Sequence, residues 1–385
     1  MGMDAGMVMW LAVAGALFML LLLACACWHL DAFSRKSQAS RQESLPEHLP
    51  PVTVVMLAHN QASSLQSSLP GFLCQDYPVR FEVMVVDLSS TDDTFGLLED
   101  METLYPHLHH TFVPSTARDV SLERLGLMLG IKAASFDHIV FTSPECTPVS
   151  PHWLRWMTAP FVRSGVQIVL GPTRYDCPSG LKSFFMNWQQ TLWLLWATGH
   201  RPYCSGFANV GYHRSLFQQQ QSFSSHAYLL AGAIDIMVNH SGRSGNTAVC
   251  LHPDANVSMA ASCFSWPDYR LFYMETRRHF VHTFAYRLLY AFLSLLPWAA
   301  LLCMAVAATV CVLGHGMLQA SLLLAISLLG LVILYVCFFR LSRVWHFPGY
   351  RIFLPLEWLM VWPSDLKSFF RYCSTNRQFF RKKFI

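Results

Sequence analysis

The stretch Val52–Thr94 reads VTVVMLAHNQASSLQSSLPGFLCQDYPVRFEVMVVDLSSTDDT, and it decides the fold. Val52–Leu57 is a continuous apolar, β-branched run, the pattern of a parallel strand covered on both faces. Ala58-His59-Asn60 turns the chain. A helix is predicted over 61–75, with Pro70 at a kink or break because proline lacks an N–H and crowds the preceding turn. Phe81–Val86 is a second buried strand ending at Asp87. Ser89-Ser90-Thr91-Asp92-Asp93 then offers N-cap side chains and early acidic charge to a helix over 92–104.

The same rhythm continues outward. Leu108–Val113 is a third strand and Ser121–Ser135 a helix. Asp137–Thr142 is a fourth strand that runs straight into Ser143-Pro144-Glu145. Strand–helix alternation of this kind predicts an α/β domain with a mostly parallel sheet and helices on both faces. Ligands of such sheets bind at the carboxyl ends of the strands. Asn60, Asp87 and Glu145 all fall at those ends, so one shared site is expected there.

Composition adds a second layer. The chain has 385 residues, 53% of them hydrophobic, and a mean hydropathy of +0.33. These values suit an α/β domain joined to a few membrane-spanning helices. Met7–Trp28 is an uncharged run of 22 residues, long enough for a hydrocarbon core of about 30 Å. It exceeds the h-region of a cleaved signal peptide and lacks a small-x-small cleavage site. Leu288–Leu313 and Ala320–Phe339 are also uncharged, with the short link Gly314–Gln319 between them.

Basic residues flank all three runs on one side: Arg35, Lys36 and Arg41; Arg277, Arg278 and Arg287; Arg340 and Arg343. That bias predicts a cytosolic α/β domain. The expected plan is a tail at 1–6, a span at 7–28, a linker at 29–51, the α/β domain at 52–285, spans at 286–314 and 319–340, and a basic membrane-proximal cytosolic tail at 341–385. From Arg340 onward nine Lys/Arg face only Glu357 and Asp365, a net of +7 in a chain of net +4. Such a tail reads either as contact with anionic lipid headgroups or as a topology signal. Tyr350–Trp362 reads as a partial span or an interfacial helix. Nucleic acid is not an expected partner, because the basic charge is not on the α/β domain.

The twelve cysteines form no C-x-x-C pair, which argues against a structural zinc site and for free thiols in a cytosolic domain. His107, His109 and His110 cluster on the third strand and read as a structural strand-edge group. No phosphate loop, nucleophile elbow or H-E-x-x-H motif is present, so kinase, esterase and metalloprotease chemistry has no support.

Val52–Thr94, Gly130–Thr147, Asn209–Phe217 and Gly232–His279 together resemble, in order, the family 2 glycosyltransferases, the inverting GT-A type. The likeness covers about 230 residues. YPHLHHTFVPSTAR at 105–118 is similar to a membrane-anchored bacterial branch, which implies a multi-pass protein of the bacterial inner membrane. The resemblance implies a nucleotide-sugar donor held by Ala58, His59, Asn60 and Asp87. It implies Glu145 as ligand to a Mg or Mn cation, Arg278 on the diphosphate, Asn209 on the acceptor side, and Asp235 as base. The acceptor would be a glycan or lipid-linked saccharide beside membrane lipids.

The departures from that pattern are specific. Gln61 stands where a Glu is usual, Leu88 where a second Asp is common, and Ala208 where a basic residue is common. Ser143-Pro144-Glu145 replaces Asp-x-Asp. Ala233-Ile234-Asp235 replaces the acidic run that supplies the base, and neither Ala nor Ile can take a proton. Glu275 and His279 replace a Gln and a Trp around Arg278. Two readings stay open: a transferase of a single sugar, or a pseudoenzyme serving as scaffold, regulator or nucleotide-sugar sensor.

Overall fold

The computed structural model describes residues 5–114, 121–176, 180–206, 208–219, 232–260, 266–312, 317–344 and 359–375. The chain divides into two compact units, Met1–Ala39 with Phe284–Lys367, and Ser40–Thr283 with Ser368–Ile385.

The second unit holds the α/β fold. Strand β1 (Val52–Ala58) leads through helix α2 (Ala62–Leu73) to β2 (Phe81–Asp87), α3 (Thr94–Leu104), β3 (Leu108–Phe112), α4 (Leu122–Ala133) and β4 (His138–Thr142). Pro70 does not break α2. It sits in the last turn, where its carbonyl still accepts the Cys74 amide at 2.9 Å. Next come β5 (Cys146–Pro148), α5 (Trp153–Thr158), β6 (Ile168–Leu170), β7 (Thr173–Asp176) and α6 (Gly180–Ala197). Then follow β8 (Asn209–His213), α7 (Arg214–Gln219), α8 (Ala233–Ser241), β9 (Thr247–Val249), β10 (Val257–Ala260) and α9 (Trp266–Thr276).

Seven strands form the main sheet in the order β3-β2-β1-β4-β8-β6-β9. The sheet is mixed: β8 runs antiparallel to both β4 and β6, while the other pairs are parallel. A second sheet orders β5-β10-β7. Both faces of β1 and β2 are covered, which accounts for their unbroken apolar runs. Val54, Met56, Val83 and Val85 pack in the cluster that includes Leu65, Leu69 and Phe72 of α2. The opposite face meets α4 at close range. A side chain at Gly126 would come within 2.3 Å of Leu88 and one at Gly130 within 2.7 Å of Val55.

The first unit contains α1 (Ala5–Ser40, its last residue in the second unit), α10 (Phe284–Val312) and α11 (Met317–Val344). Within it, α10 and α11 pack together, Tyr290 donates to Asp365 at 2.7 Å, and Trp298 Nε1 donates to the Leu359 carbonyl at 3.0 Å. The expected spans at 7–28 and 319–340 overlap α1 and α11, and residues 286–312 of the remaining one overlap α10, with different bounds. α1 continues through Asp31, Arg35 and Lys36, and α11 through Arg340 and Arg343.

Among the described residues, no helix is long and apolar enough to cross a membrane. This overturns the expected transmembrane spans at 7–28, 286–314 and 319–340. The multi-pass inner-membrane placement with a cytosolic domain falls with them. Residues 314–316 of the expected link, most of Tyr350–Trp362, Phe207, residues 115–118 of the branch-like stretch and most of the basic tail lie outside the described residues. The final helix, α12, is Val361–Ser374.

Candidate active site at the carboxyl ends of the strands

Ala58 and Asp87 are side-by-side partners at the ends of β1 and β2. The Leu88 amide donates to the Ala58 carbonyl at 2.8 Å, which extends the pairing one residue further. Asp87 is buried, and its Oδ1 accepts the Ser90 amide at 3.0 Å. Leu88, standing where a second acid is common, turns into the core against α4.

The next loop is stitched across by Asn60. Its φ of +53° lies in the left-handed region, which Asn tolerates better than most residues. In that conformation its Oδ1 accepts the amides of Thr91 at 2.7 Å and Asp92 at 3.3 Å, while its own amide donates to Ser90 Oγ at 2.9 Å. Asp92 then accepts the amides of Ala62 and Thr94, both at 3.1 Å. The loops after β1 and β2 therefore form one hydrogen-bonded cup, with His59 and Asn60 exposed on it.

Beside this cup stands the turn between β4 and β5. Ser68 donates to the Pro144 carbonyl at 2.7 Å and holds the turn down. Glu145 is half-buried, and Gln61 Nε2 donates to its Oε1 at 3.0 Å. Burial raises the Glu145 carboxyl above its ordinary range, against the opposing pull of the Gln61 bond. Ala58, Asn60, Asp87 and Glu145 thus stand at one edge of the sheet.

The start of α8 forms a second corner. Glu123 Oε1 accepts the amides of Gly232 and Ala233, both at 3.1 Å. Asp235, in the first turn of α8, is buried. Its Oδ1 accepts the Ser205 amide at 3.0 Å, the Ser205 hydroxyl, and the Gly206 amide at 2.9 Å. Burial raises its carboxyl, and these bonds oppose the shift. Asp235 therefore holds an internal loop, while Glu123 is only partly covered. Glu123 was not legible as a site residue: by sequence it is an ordinary first-turn acid of a helix.

The other two expected residues lie elsewhere. Asn209 is 1% exposed, its Nδ2 donates to the carbonyls of Pro172 and Ala255, both at 2.8 Å, and its Oδ1 accepts Trp153 Nε1 at 3.2 Å. Both of its donors are spent on the core. Arg278 lies just after α9 in a half-exposed cluster. Its Nη1 donates to the Tyr372 hydroxyl at 2.8 Å and pairs with Glu275 at 3.8 Å, and Tyr372 in turn donates to Glu275. Thr276, two residues earlier, packs on Gly232, so this segment borders the α8 corner. On β3, His109 and His110 share the Glu102 carboxylate at 3.5 and 2.5 Å.

Comparison with known proteins supports this geometry at the level of fold. No family model matches the chain. Over 133 residues, 34% of this chain, it is 27% identical to glycosyltransferase AglE of Haloferax volcanii. The match spans only 42% of that relative's own length. Among solved structures, mannosyltransferase PcManGT from Pyrobaculum calidifontis, in complex with GDP-Man and Mn2+, matches 92% of this chain and 98% of its own. The TM-score is 0.55 at 16% identity. A likeness at that identity shows the fold alone: α/β and GT-A-like, built on a mixed sheet.

Proposed function

We propose that the chain is a nucleotide-sugar-dependent glycosyltransferase, inverting and similar to family 2, that moves one sugar to a hydroxyl of a glycan or lipid-linked acceptor. The observation that carries this reading is the strand-end cup, in which Ala58, Asn60 and Asp87 adjoin the Gln61–Glu145 pair. Its support from relatives is that one is a glycosyltransferase and another holds GDP-Man and Mn2+ in a similar fold.

Asp87 would accept hydrogen bonds from the nucleoside, on a carboxylate already oriented by Ser90. Arg278 is the candidate phosphate clamp, on release from Glu275 and Tyr372. Among the described residues no group of three His, Cys, Asp or Glu could hold a metal ion. Glu145 offers one carboxylate with a free oxygen, and Ser143 a hydroxyl. Hard cations want about six oxygens, so these residues fit a Mg or Mn cation only together with donor phosphate oxygens. The cation would offset charge on the departing diphosphate.

The test is a thermal-shift titration with UDP and GDP, with and without Mn2+, using Asp87→Ala as control. A ligand at 100 times its Kd adds about 2.7 kcal/mol, so the expected result is a melting point raised by several degrees and a rise the variant loses. No shift at millimolar concentration of either nucleotide would refute the donor site and favour a scaffold.

A further inference from the structure

The residues at 233–234 leave the α8 corner without a proton acceptor, yet a carboxylate arrives there from another element. Helix α4 stands with its first turn over the carboxyl end of β2, because Gly126 seats directly on Leu88, the residue after Asp87. Glu123 lies one turn before that contact. It reaches the first two amides of the α8 corner with Oε1, and Oε2 accepts no bond from a described residue. Gly232 has a φ of +80° and packs closely against the Thr276 side chain.

A buried hydroxyl behind the Asp235 loop is also unmet. The Tyr175 hydroxyl is unpartnered in a residue 1% exposed. It lies 3.3 Å from where a Gly206 side chain would begin, and the Gly206 amide is bound to Asp235. An unmet hydroxyl in such a setting costs about 1–3 kcal/mol, a cost that a bound hydroxyl or water would relieve.

We propose that Glu123 is the carboxylate that takes the proton from the acceptor hydroxyl during sugar transfer, replacing the acid absent at 233–234. This rests on the glycosyltransferase reading above. In the step, the acceptor oxygen forms a bond to the anomeric carbon and its proton passes to Glu123 Oε2. The bond from that carbon to the diphosphate oxygen breaks, and its electron pair leaves with the nucleoside diphosphate. Asp235 is the positioning residue: it anchors Ser205 and Gly206 behind the corner and adds negative charge beside Glu123.

The electrostatics suit the role. Burial and the Asp235 charge push the Glu123 carboxyl up to about 7, against the two amides that stabilise its ionised form. A base works best with a pKa near the working pH. Asp235 is the charge facing Glu123; Cys204, Tyr175 and Tyr269 lie around Asp235, Arg270 lies beside Tyr269, and Arg124 follows Glu123 in the chain. Burial pushes Cys204, Tyr175 and Tyr269 far above the neutral range and also raises Asp235.

The experiment follows nucleoside diphosphate release from GDP-mannose and UDP-glucose with Mn2+, using water or octyl glycosides as acceptor, between pH 5.5 and 9. Glu123→Gln keeps an oxygen for the two amides and removes the proton acceptor. The expected result is a kcat lowered about 10²–10⁴-fold, an unchanged donor KM, and loss of the acidic limb of kcat/KM. Retention of that limb with kcat within threefold of wild type overturns the proposal. So does loss of the limb in Asp235→Asn alone, which would make Asp235 the base. If Glu123→Gln does not fold, Glu123→Asp carries the test: a lowered kcat with the limb kept supports the role, and an unchanged kcat overturns it. Turnover in neither wild type nor variant overturns the transferase reading along with it, whereas equal turnover in both overturns the base alone.

Discussion

Gln61 Nε2 donates to Glu145 Oε1 at 3.0 Å, across 84 residues of chain. Two departures from the resembled pattern thus meet in one contact. The amide satisfies one oxygen of a half-buried carboxylate that would otherwise face a second carboxylate at this position. Gln61→Glu should therefore create an acidic pair. Two like charges within hydrogen-bond range cannot both ionise without cost, so the metal-free protein should lose stability. Mn2+ affinity in the presence of GDP or UDP should rise at least tenfold, read by calorimetric titration. Unchanged Mn2+ affinity would mean that Glu145 is not a ligand.

Cation binding should depend on the donor. With one carboxylate and one hydroxyl in the turn, Mn2+ alone should give no thermal shift at 1 mM. Mn2+ with GDP or UDP should shift the melting point further than nucleotide alone, and EDTA should reverse only that increment. A shift from Mn2+ by itself would reveal a site built from protein groups alone.

Asn209 should behave as a core pin. Asn209→Ala strands the carbonyls of Pro172 and Ala255 and the Trp153 indole N–H in a buried setting. Each unmet group costs about 1–3 kcal/mol, and compensation is partial. A loss of about 2–4 kcal/mol in denaturant unfolding is expected, with nucleotide affinity unchanged below the melting transition. Lost acceptor use in a variant of full stability would restore Asn209 to the acceptor side.

The strand ends were legible because their signals are local. Val52–Leu57 and Phe81–Val86 are long enough to read as covered strands, and Asn60 and Asp87 follow them directly. β5 has three residues and β7 and β10 four each, too few for a period, so the second sheet escaped notice. Residues joined only by folding were also hidden. Glu123 meets Gly232 across 109 residues, and nothing near either position announces the contact. Asp235 read as a surviving acid because sequence shows a residue's identity and not its partners at Ser205 and Gly206. The apolar runs of the first unit predicted spans, but among the described residues no helix is long and apolar enough to cross a membrane.

The Glu123 corner should also set how stability depends on pH. A carboxyl with an ordinary value of 4.5 is held at about 7 in the folded chain, so the native state binds a proton that the unfolded state has released. That contribution is fully present below about 4.5, declines as pH rises, and is gone once pH passes about 7, with a ceiling of about 3 kcal/mol. His138 and His252 act in the opposite direction, because burial lowers their values and their contribution grows as pH rises. The difference between Glu123→Gln and wild type removes those histidines from the comparison. The variant should melt no higher than wild type at pH 5 and several degrees higher at pH 8. A constant difference across that range would mean that Glu123 titrates as an ordinary surface acid and has no bias toward the protonated form.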